Sequence, residues 1–252
     1  MLFRHRGTTI IFMSFSNNAA PVLFSKIKDV YMRMSRAAMK ADRSPDEIQL
    51  IAVTKTVPVE AIREAVDCGL RAFGENRVQE AKRKILNNEI RSLSEQLAWH
   101  LIGHLQQNKV RDAVQLFDLI HSVDSLELAE EIDRQAEKFG KIQRVLVQVK
   151  LSAEKTKHGI EEDGLLPLLE RIAGKGHIRA EGLMTMPPFL DDLNSVRPYF
   201  IRLRELRDRA EAKGFAVPEL SMGMSHDFEA AIEEGATMVR VGTAIFGERS
   251  SR

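Results

Sequence analysis

From residue 20 onward, the chain alternates between two kinds of segment. Short apolar runs rich in β-branched residues predict strands, and longer stretches whose apolar residues recur at helical spacing predict helices. The eight predicted strands are Gln49–Thr54, Arg71–Gly74, Ala98–Ile102, Asp118–Val123, Arg144–Val149, Ile178–Met184, Glu219–Met222 and Thr237–Val241. This regular alternation is typical of α/β proteins with a parallel sheet.

The predicted helices carry recognisable start signals. Asp124 with Glu127 has the spacing of a capping box and predicts the start of one helix. Ser225 is expected to cap a short helix near the end of the chain. A further amphipathic helix is predicted at 22–41, before the first strand.

Eight strands separated by helices, with no long linker between them, favour a single (β/α)8 TIM-type barrel. After the last strand only 242–252 remain, which is too short for a covering helix and its loop. We therefore expect the helix at 22–41 to complete the outer helical ring. An open α/β sheet with a miscounted strand is the alternative. Residues 20–252 are expected to form one domain and residues 1–19 a poorly ordered extension, with Met13 as a second candidate start.

Charge and cysteine content narrow the function classes. Thirty-seven Lys and Arg against 36 Asp and Glu give a net charge of +1, which provides no general attraction to nucleic acid or to acidic membranes. No apolar run approaches the ~20 residues of a membrane span. Cys68 is the only cysteine, which excludes an intrachain disulfide and suits a reducing compartment. We expect a cytoplasmic protein without nucleic-acid or membrane partners.

In a (β/α)8 barrel, ligands bind where the strands end at their carboxyl termini. The first predicted strand ends LIAVTK, which places Lys55 at this position. Beside Ile51 and Val53, desolvation favours the neutral amine, and a neutral lysine can form a Schiff base with an aldehyde. A solvated lysine at a strand end is the alternative.

The last two predicted strands lead into small and hydroxylated residues. The sequences are SMGMS at 221–225 and VGT at 241–243, and their amides and hydroxyls can bind a phosphate, although turns use the same residues. Arg240 alternates with two valines and is expected to point into the barrel, where either a carboxylate or an atom of a bound ring serves as acceptor. Asn76 either caps a helix or binds a ligand.

The histidines give no local metal-ligand spacing. There are seven of them and they are scattered along the chain, and His100 and His104 fall across a strand and its loop. No metal site is predicted.

Taken together, the strand-end motifs resemble those of the pyridoxal-phosphate homeostasis protein family, whose fold is the alanine-racemase-type barrel. In chain order they are LIAVTK, FGEN at 73–76, WHLIGHLQQNK at 99–109, KHG at 157–159, GLMTM at 182–186, SMGMSHDFEAAI from 221 and TMVRVGTAIFG from 237. The resemblance implies that Lys55 forms an aldimine with pyridoxal 5′-phosphate (PLP) and that Arg240 lies beside the pyridine nitrogen. It also implies further cofactor-binding residues: Ser221, Gly223, Gly242 and Thr243 at the phosphate, Asn76 near the ring and Met184 in the pocket lining.

These residues favour a cofactor binder over an enzyme. An arginine at the pyridine nitrogen keeps that nitrogen unprotonated, which makes PLP a weaker electron sink. The related racemases take a second acid/base group from a tyrosine of an additional β-domain. Here the only tyrosines, Tyr31 and Tyr199, fall in predicted helices, and the eight strand–helix units use nearly the whole chain. We expect a non-catalytic, monomeric protein that buffers PLP or delivers it to apo PLP-dependent enzymes.

Two alternatives from other classes remain. A single-domain, PLP-dependent amino-acid racemase would use Lys55 as one base and a water or His104 as the other. An aldolase-like enzyme would form its Schiff base between Lys55 and a phosphosugar, without a cofactor.

Overall fold

The computed structural model describes residues 3–5, 8–10, 21–152 and 158–248. The first two ranges are short strands, β1 (Phe3–His5) and β2 (Thr8–Ile10), that pair antiparallel. The rest of the N-terminal extension lies outside the described residues, so its expected disorder stays a prediction. Lys157 of the KHG motif also lies outside them.

Eight parallel strands close into a barrel. They are β3 (Gln49–Val53), β4 (Ala72–Glu75), β5 (Ala98–Leu101), β6 (Leu119–Val123), β7 (Gln143–Gln148), β8 (Ile178–Met184), β9 (Glu219–Met224) and β10 (Met238–Val241). Each strand pairs with its sequence neighbour, and β10 closes the barrel against β3. The predicted (β/α)8 barrel is confirmed, and every predicted strand overlaps an observed one.

Helices surround the barrel. They are α1 (Pro21–Lys40), α2 (Val59–Asp67), α3 (Val78–Ile85), α4 (Asn88–Arg91), α5 (Val110–Leu116), α6 (Leu126–Lys138), α7 (Leu165–Ala173), α8 (Leu193–Ala212), α9 (Phe228–Glu233) and α10 (Thr243–Phe246). The N-terminal helix α1 packs against α2, α9 and α10. It therefore completes the outer ring next to the short α10, as expected.

The start of α6 differs from the sequence prediction. Its N-cap is Ser125, whose Oγ accepts a hydrogen bond from the backbone N–H of Leu128 at 3.2 Å. The predicted capping role of Asp124 was wrong, because the helix begins one residue later than the capping-box spacing indicated. The Asp124 carboxylate is left for contacts at the end of β6.

The start of α9 differs as well. Asp227 is its N-cap and makes no side-chain capping bond. Ser225 instead turns its Oγ toward the residues that follow β10, where it accepts from the N–H groups of Gly242 at 3.1 Å and Ala244 at 3.3 Å. The predicted capping role of Ser225 was wrong for this reason.

Strand alternation separates two apolar layers. Because successive side chains of a strand face opposite ways, Val239 and Val241 join the core beneath the helices, whereas Met238 joins a separate cluster inside the barrel with residues such as Ile51 and Leu146. Arg240 is buried between the two valines and so faces the barrel interior, as the alternation predicted.

Two expectations drawn from the composition, on membrane spans and on the single cysteine, can be compared with the described part of the chain. No helix in that part is long and apolar enough to cross a membrane. Cys68 is a buried free thiol at the end of α2.

Candidate functional site

The carboxyl ends of the barrel strands bring the predicted site residues to one rim. Lys55 follows β3, Asn76 follows β4, Met184 ends β8, and Gly242 and Thr243 follow β10. Because all eight strands are parallel, these ends meet at the same mouth of the barrel. The structure therefore groups residues that are far apart in the sequence, from Lys55 to Thr243.

Lys55 lies in a tight, strained turn. The backbone N–H of Val57 donates to the carbonyl of Thr54 at 2.9 Å, which closes the turn around Lys55. Thr56 has φ 64°, a left-handed conformation that is costly for a β-branched residue. Lys55 itself is half-buried. Such strain persists only where surrounding contacts enforce it, which points to a functional constraint at this turn.

A buried ion cluster enforces the turn from both sides of Lys55. The Lys84 Nζ donates to the carbonyl of Thr54 at 2.6 Å and to Glu80 Oε1 at 2.6 Å. The same Glu80 oxygen accepts from the backbone N–H of Thr56 at 2.5 Å. We call Glu75, Glu80 and Lys84 the clamp. Sequence reasoning missed it, because its members come from β4 and α3 and no local motif connects them to the LIAVTK strand.

Glu75 is the fully buried member of the clamp. Its Oε1 accepts from Lys84 Nζ at 2.8 Å and from the Thr54 hydroxyl at 2.6 Å. Burial raises the pKa of Glu75, and the hydrogen bonds from Lys84 and Thr54 act against that rise. Its second oxygen, Oε2, is buried and has no partner among the described residues. A buried acceptor left unpaired is costly, so this oxygen is suited to a donor from a ligand or a water.

Asn76 is not the cap of the following helix. The N-cap of α3 is Arg77, without a side-chain capping bond, so the capping alternative for Asn76 is wrong. Its backbone is fixed by close approach of Gly103, where an added Cβ would lie 2.3 Å from the Asn76 carbonyl oxygen. Only glycine fits at position 103, and the FGEN and WHLIGH segments thereby pack directly against each other.

Arg240 is held inside the barrel by neutral acceptors. One terminal nitrogen, Nη1, donates to the Ser221 Oγ at 2.6 Å, and Nη2 donates to the carbonyl of Thr185 at 2.9 Å. Within the described residues it forms no salt bridge, which removes the buried-salt-bridge alternative. Burial lowers the pKa of Arg240 to about 10, against the opposing charge of Asp227, so the guanidinium stays cationic at neutral pH.

A hydrogen-bonded chain continues from Arg240 across the barrel interior. The Ser221 Oγ lies 2.9 Å from His121 Nδ1, and His121 Nε2 lies 2.9 Å from His100 Nδ1. Burial lowers the pKa of His100 to about 3 and that of His121 well below its ordinary value, so both imidazoles are neutral. Neutral rings fit a chain in which Ser221 donates to His121 and His121 donates to His100. Ser221 thus holds Arg240 in place.

A second group of donors surrounds Ser225. Its Oγ lies against the N–H groups of Gly242 and Ala244. An added Cβ at Gly242 would lie 3.3 Å from the carbonyl oxygen of Val53, so this loop passes close to the end of β3. Ser225 belongs to the SMGMS segment whose hydroxyls were expected to be able to bind a phosphate, although the resemblance named Ser221 and not Ser225 for that role. The second serine of this segment stands directly after the end of β9.

Gly223 shapes the bend between these groups. It has φ +90°, and an added Cβ would lie 2.6 Å from the Cβ of Ala231 and 2.9 Å from the Cα of Phe228. A side chain at this position would push α9 away from the barrel. Gly223 therefore allows α9 to pack closely and places Ser225 near Gly242, and its implied position at the phosphate stays a prediction.

A cavity of about 260 Å³ lies at the opposite end of the barrel, lined by residues that include Tyr31, Arg71, His100 and Thr237. None of the predicted site residues lines it. A series of hydrogen-bonded side chains thus runs from the rim that carries Lys55 toward this cavity, in the order Arg240, Ser221, His121 and His100.

The closed parallel barrel, with a lysine after its first strand and an arginine on its last, defines an alanine-racemase-type barrel. The family model described as "Alanine racemase, N-terminal domain" matches residues 33–250. An alanine racemase of Clostridium difficile 630 superposes with a TM-score of 0.68 at 18% identity, over 91% of this chain and 57% of the racemase. At that identity, the likeness concerns the fold alone.

The chain belongs to the pyridoxal phosphate homeostasis protein family, as its motifs indicated. The member from Aquifex aeolicus (strain VF5) is 46% identical over 225 residues, 89% of this chain and 97% of the relative. The member from Escherichia coli (strain K12) is 40% identical, over 86% of this chain and 92% of the relative. PipY of Synechococcus elongatus PCC7942, in a structure with PLP bound, is 40% identical with a TM-score of 0.74, covering 85% and 100%.

Proposed function

We propose that this protein binds PLP covalently through Lys55 and serves intracellular PLP homeostasis by buffering the cofactor or delivering it to other proteins. The observation that carries this proposal is the clamped, strained turn that presents Lys55 at the same rim as Arg240 and Ser225. The names of the family members and the PLP in the PipY structure support it.

The residues of the rim fit three parts of PLP: its aldehyde, its ring nitrogen and its phosphate. Its aldehyde carbon is attacked by a neutral lysine amine, which forms a C=N bond and releases water. Lys55 supplies that amine, and the clamp fixes the peptide groups on either side of it. Arg240 uses two of its five N–H groups on Ser221 and Thr185, and a remaining one can donate to the ring nitrogen.

The phosphate fits the donors around Ser225. The N–H groups of Gly242 and Ala244 converge on the Ser225 oxygen. A phosphate oxygen placed beside that hydroxyl receives donors from the same amides, from Ser225 and from the exposed Thr243. Gly242 lies close to the end of β3, which brings the phosphate donors and the Lys55 turn to adjacent strands.

The same geometry supports a binder with little or no catalysis. Arg240 is cationic and can only donate, so it favours an unprotonated ring nitrogen, whereas a carboxylate partner would accept a hydrogen bond from the protonated one; the electron sink therefore stays weak. Tyr31 lines the cavity at the far end, where burial raises its pKa to about 12. Tyr199 lies in the outer helix α8. Neither can act as an acid/base group beside Lys55, which disfavours the racemase alternative.

A visible absorption band on adding PLP tests covalent binding. We expect the purified protein to develop the band of a protonated imine, and borohydride to fix one cofactor on the peptide that contains Lys55, located by mass spectrometry. Pyridoxamine 5′-phosphate, which has no aldehyde, is the matched control and is expected to leave no trapped adduct. A protein that stays colourless and unmodified in PLP would rule out the proposal. Trapping of a phosphosugar in place of PLP would favour the aldolase-like alternative.

Solvent-deuterium exchange tests the absence of catalysis. We expect the PLP-loaded protein to leave the α-hydrogen of L-alanine or L-serine in place, measured by NMR in D₂O, because Tyr31 and Tyr199 both lie away from Lys55 and an arginine beside the ring nitrogen keeps the electron sink weak. A genuine alanine racemase in the same buffer is the positive control. Steady exchange that disappears in Lys55→Ala would instead identify a single-domain racemase.

Ser225→Ala tests the phosphate site. One lost hydrogen bond to a charged group is worth about 1.5–3 kcal/mol, so we expect PLP to bind about 10- to 150-fold more weakly in equilibrium titrations. Binding of pyridoxal, which lacks the phosphate, is expected to stay unchanged. Ser94→Ala, on the exposed surface, is the control. An equal loss for pyridoxal would show that Ser225 acts on the fold and not on the phosphate.

The expected cytoplasmic location, monomeric state and apo-enzyme recipients stay predictions. The rim residues bear on PLP binding, and not on location, oligomeric state or recipient enzymes.

A further inference from the structure

Three side chains from three successive strand ends converge at the rim. His104 follows β5, Asp124 follows β6, and His158 follows β7. One ligand atom from each lies within 4.8 Å of those of the other two. The His104 Nδ1 is 3.8 Å from Asp124 Oδ2, and the rings of His104 and His158 stack with centroids 3.6 Å apart.

The barrel fixes the backbone of both histidines. His104 stands between Gly103, which packs on Asn76, and the buried Leu105. The carbonyl of His158 accepts a hydrogen bond from Gln148 Nε2 at 2.8 Å. The two imidazoles are therefore brought together by the fold and can turn toward a common ligand by side-chain rotation alone.

Asp124 completes the group because it is not used as a helix cap. Ser125 takes that role, and the Asp124 carboxylate is 15% exposed beside a His104 side chain that is 38% exposed. A half-buried carboxylate next to two accessible imidazoles combines an anionic oxygen with two nitrogen ligands at the surface of the barrel.

We propose that His104, Asp124 and His158 bind a divalent first-row transition metal, with Zn²⁺ as the reference ion. Two imidazoles and a carboxylate suit zinc, nickel or copper, whereas calcium and magnesium prefer oxygen-only sites. Zinc holds ligands at ~2.0–2.1 Å, so ligand atoms in a tetrahedral site are roughly 3.3 Å apart. The ligand atoms, now within 4.8 Å of one another, would have to approach by up to roughly 1.5 Å, and three protein ligands leave a fourth position of the tetrahedron open.

This metal site uses none of the residues proposed to bind PLP. It ties together the loops after β5, β6 and β7, whereas Lys55 follows β3 and Arg240 lies in β10. The spacing rules for metal motifs missed it because each ligand comes from a different strand–helix unit. The metal and PLP proposals therefore fail or succeed separately.

Zinc titration of the tag-free apo-protein against a chromophoric chelator tests the site. We expect one Zn²⁺ per chain, at least about tenfold weaker binding in His104→Ala and in His158→Ala, and weaker binding in Asp124→Asn. Co²⁺ is expected to give a visible d–d band that Zn²⁺ displaces. His177→Ala, a histidine at the amino end of β8, is the matched control and is expected to bind normally.

Three further variants keep the test decisive. Lys55→Ala is expected to retain the metal, because the site does not need the cofactor; loss of zinc in that variant would contradict the proposal. Circular dichroism confirms that each variant is folded, and His158→Gln replaces any alanine variant that is not. Absence of saturable binding, or unchanged binding in the His104→Ala/His158→Ala double variant, would overturn the assignment.

Discussion

Lys55→Ala is expected to abolish the visible band and the borohydride-trapped adduct while keeping weak, phosphate-driven binding of PLP. The C=N bond requires the lysine amine, whereas the donors around Ser225 and the Arg240 guanidinium remain. We expect PLP to bind at least about 100-fold more weakly, equivalent to about 2.7 kcal/mol. Absorption spectra, peptide mapping and equilibrium dialysis measure the three effects.

A second lysine at the rim provides the control for this result. Lys150 follows β7 and pairs with Glu161 at 3.0 Å. Lys150→Ala is expected to retain the band and the trapped adduct, because its amine is engaged on the far side of the barrel mouth. A band that persists in Lys55→Ala would show that another lysine forms the link to PLP.

Lys84→Met is expected to cause the largest loss of stability. It removes the cation that pairs with the buried carboxylate of Glu75 and that holds Glu80 and the Thr54 carbonyl. Breaking a buried ion pair by removing one partner costs about 3–5 kcal/mol. Urea unfolding at pH 7, followed by circular dichroism, should show this as a lower midpoint with an unchanged slope.

A double variant separates the charge effect from lost packing. In Lys84→Met/Glu75→Gln the buried carboxylate is gone, so we expect part of the stability to return. Lys82→Met, which removes an exposed ion pair with Asp112, is the control and should change stability by less than about 1 kcal/mol. Equal stability of Lys84→Met and the wild type would contradict the structural role given to the clamp.

The clamp also makes a kinetic prediction for the Lys84→Met protein. Once the turn around Lys55 loses its contact at the Thr54 carbonyl, the amine is held less firmly, and formation of the imine with PLP should slow in stopped-flow absorbance. Lys82→Met again serves as the comparison. An unchanged rate in the folded variant would mean that the clamp stabilises the barrel without positioning Lys55.

The strands were predictable from the sequence for a physical reason. A strand buried on both faces appears as a short apolar run, and eight such runs separated by helical periodicity leave few folds to consider. Alternation within the last run also placed Arg240 in the barrel interior. The helix caps at Asp124 and Ser225 were predicted wrongly, because local spacing does not show at which residue α6 begins or which partners Ser225 meets once the barrel closes. Ser125 caps one helix, and the amides after β10 engage Ser225.

By itself, the sequence determined the barrel, the rim at which we propose that PLP binds, and the placement of Lys55 after its first strand and Arg240 on its last. Only the tertiary structure decided which side chains meet there: Lys84 and Glu80 on either side of Lys55, Ser225 at the amides after β10, and the group of His104, Asp124 and His158. Local patterns record which way a residue faces along its own strand or helix. Contacts between different strand–helix units depend on the register and closure of the whole barrel, which no local pattern contains.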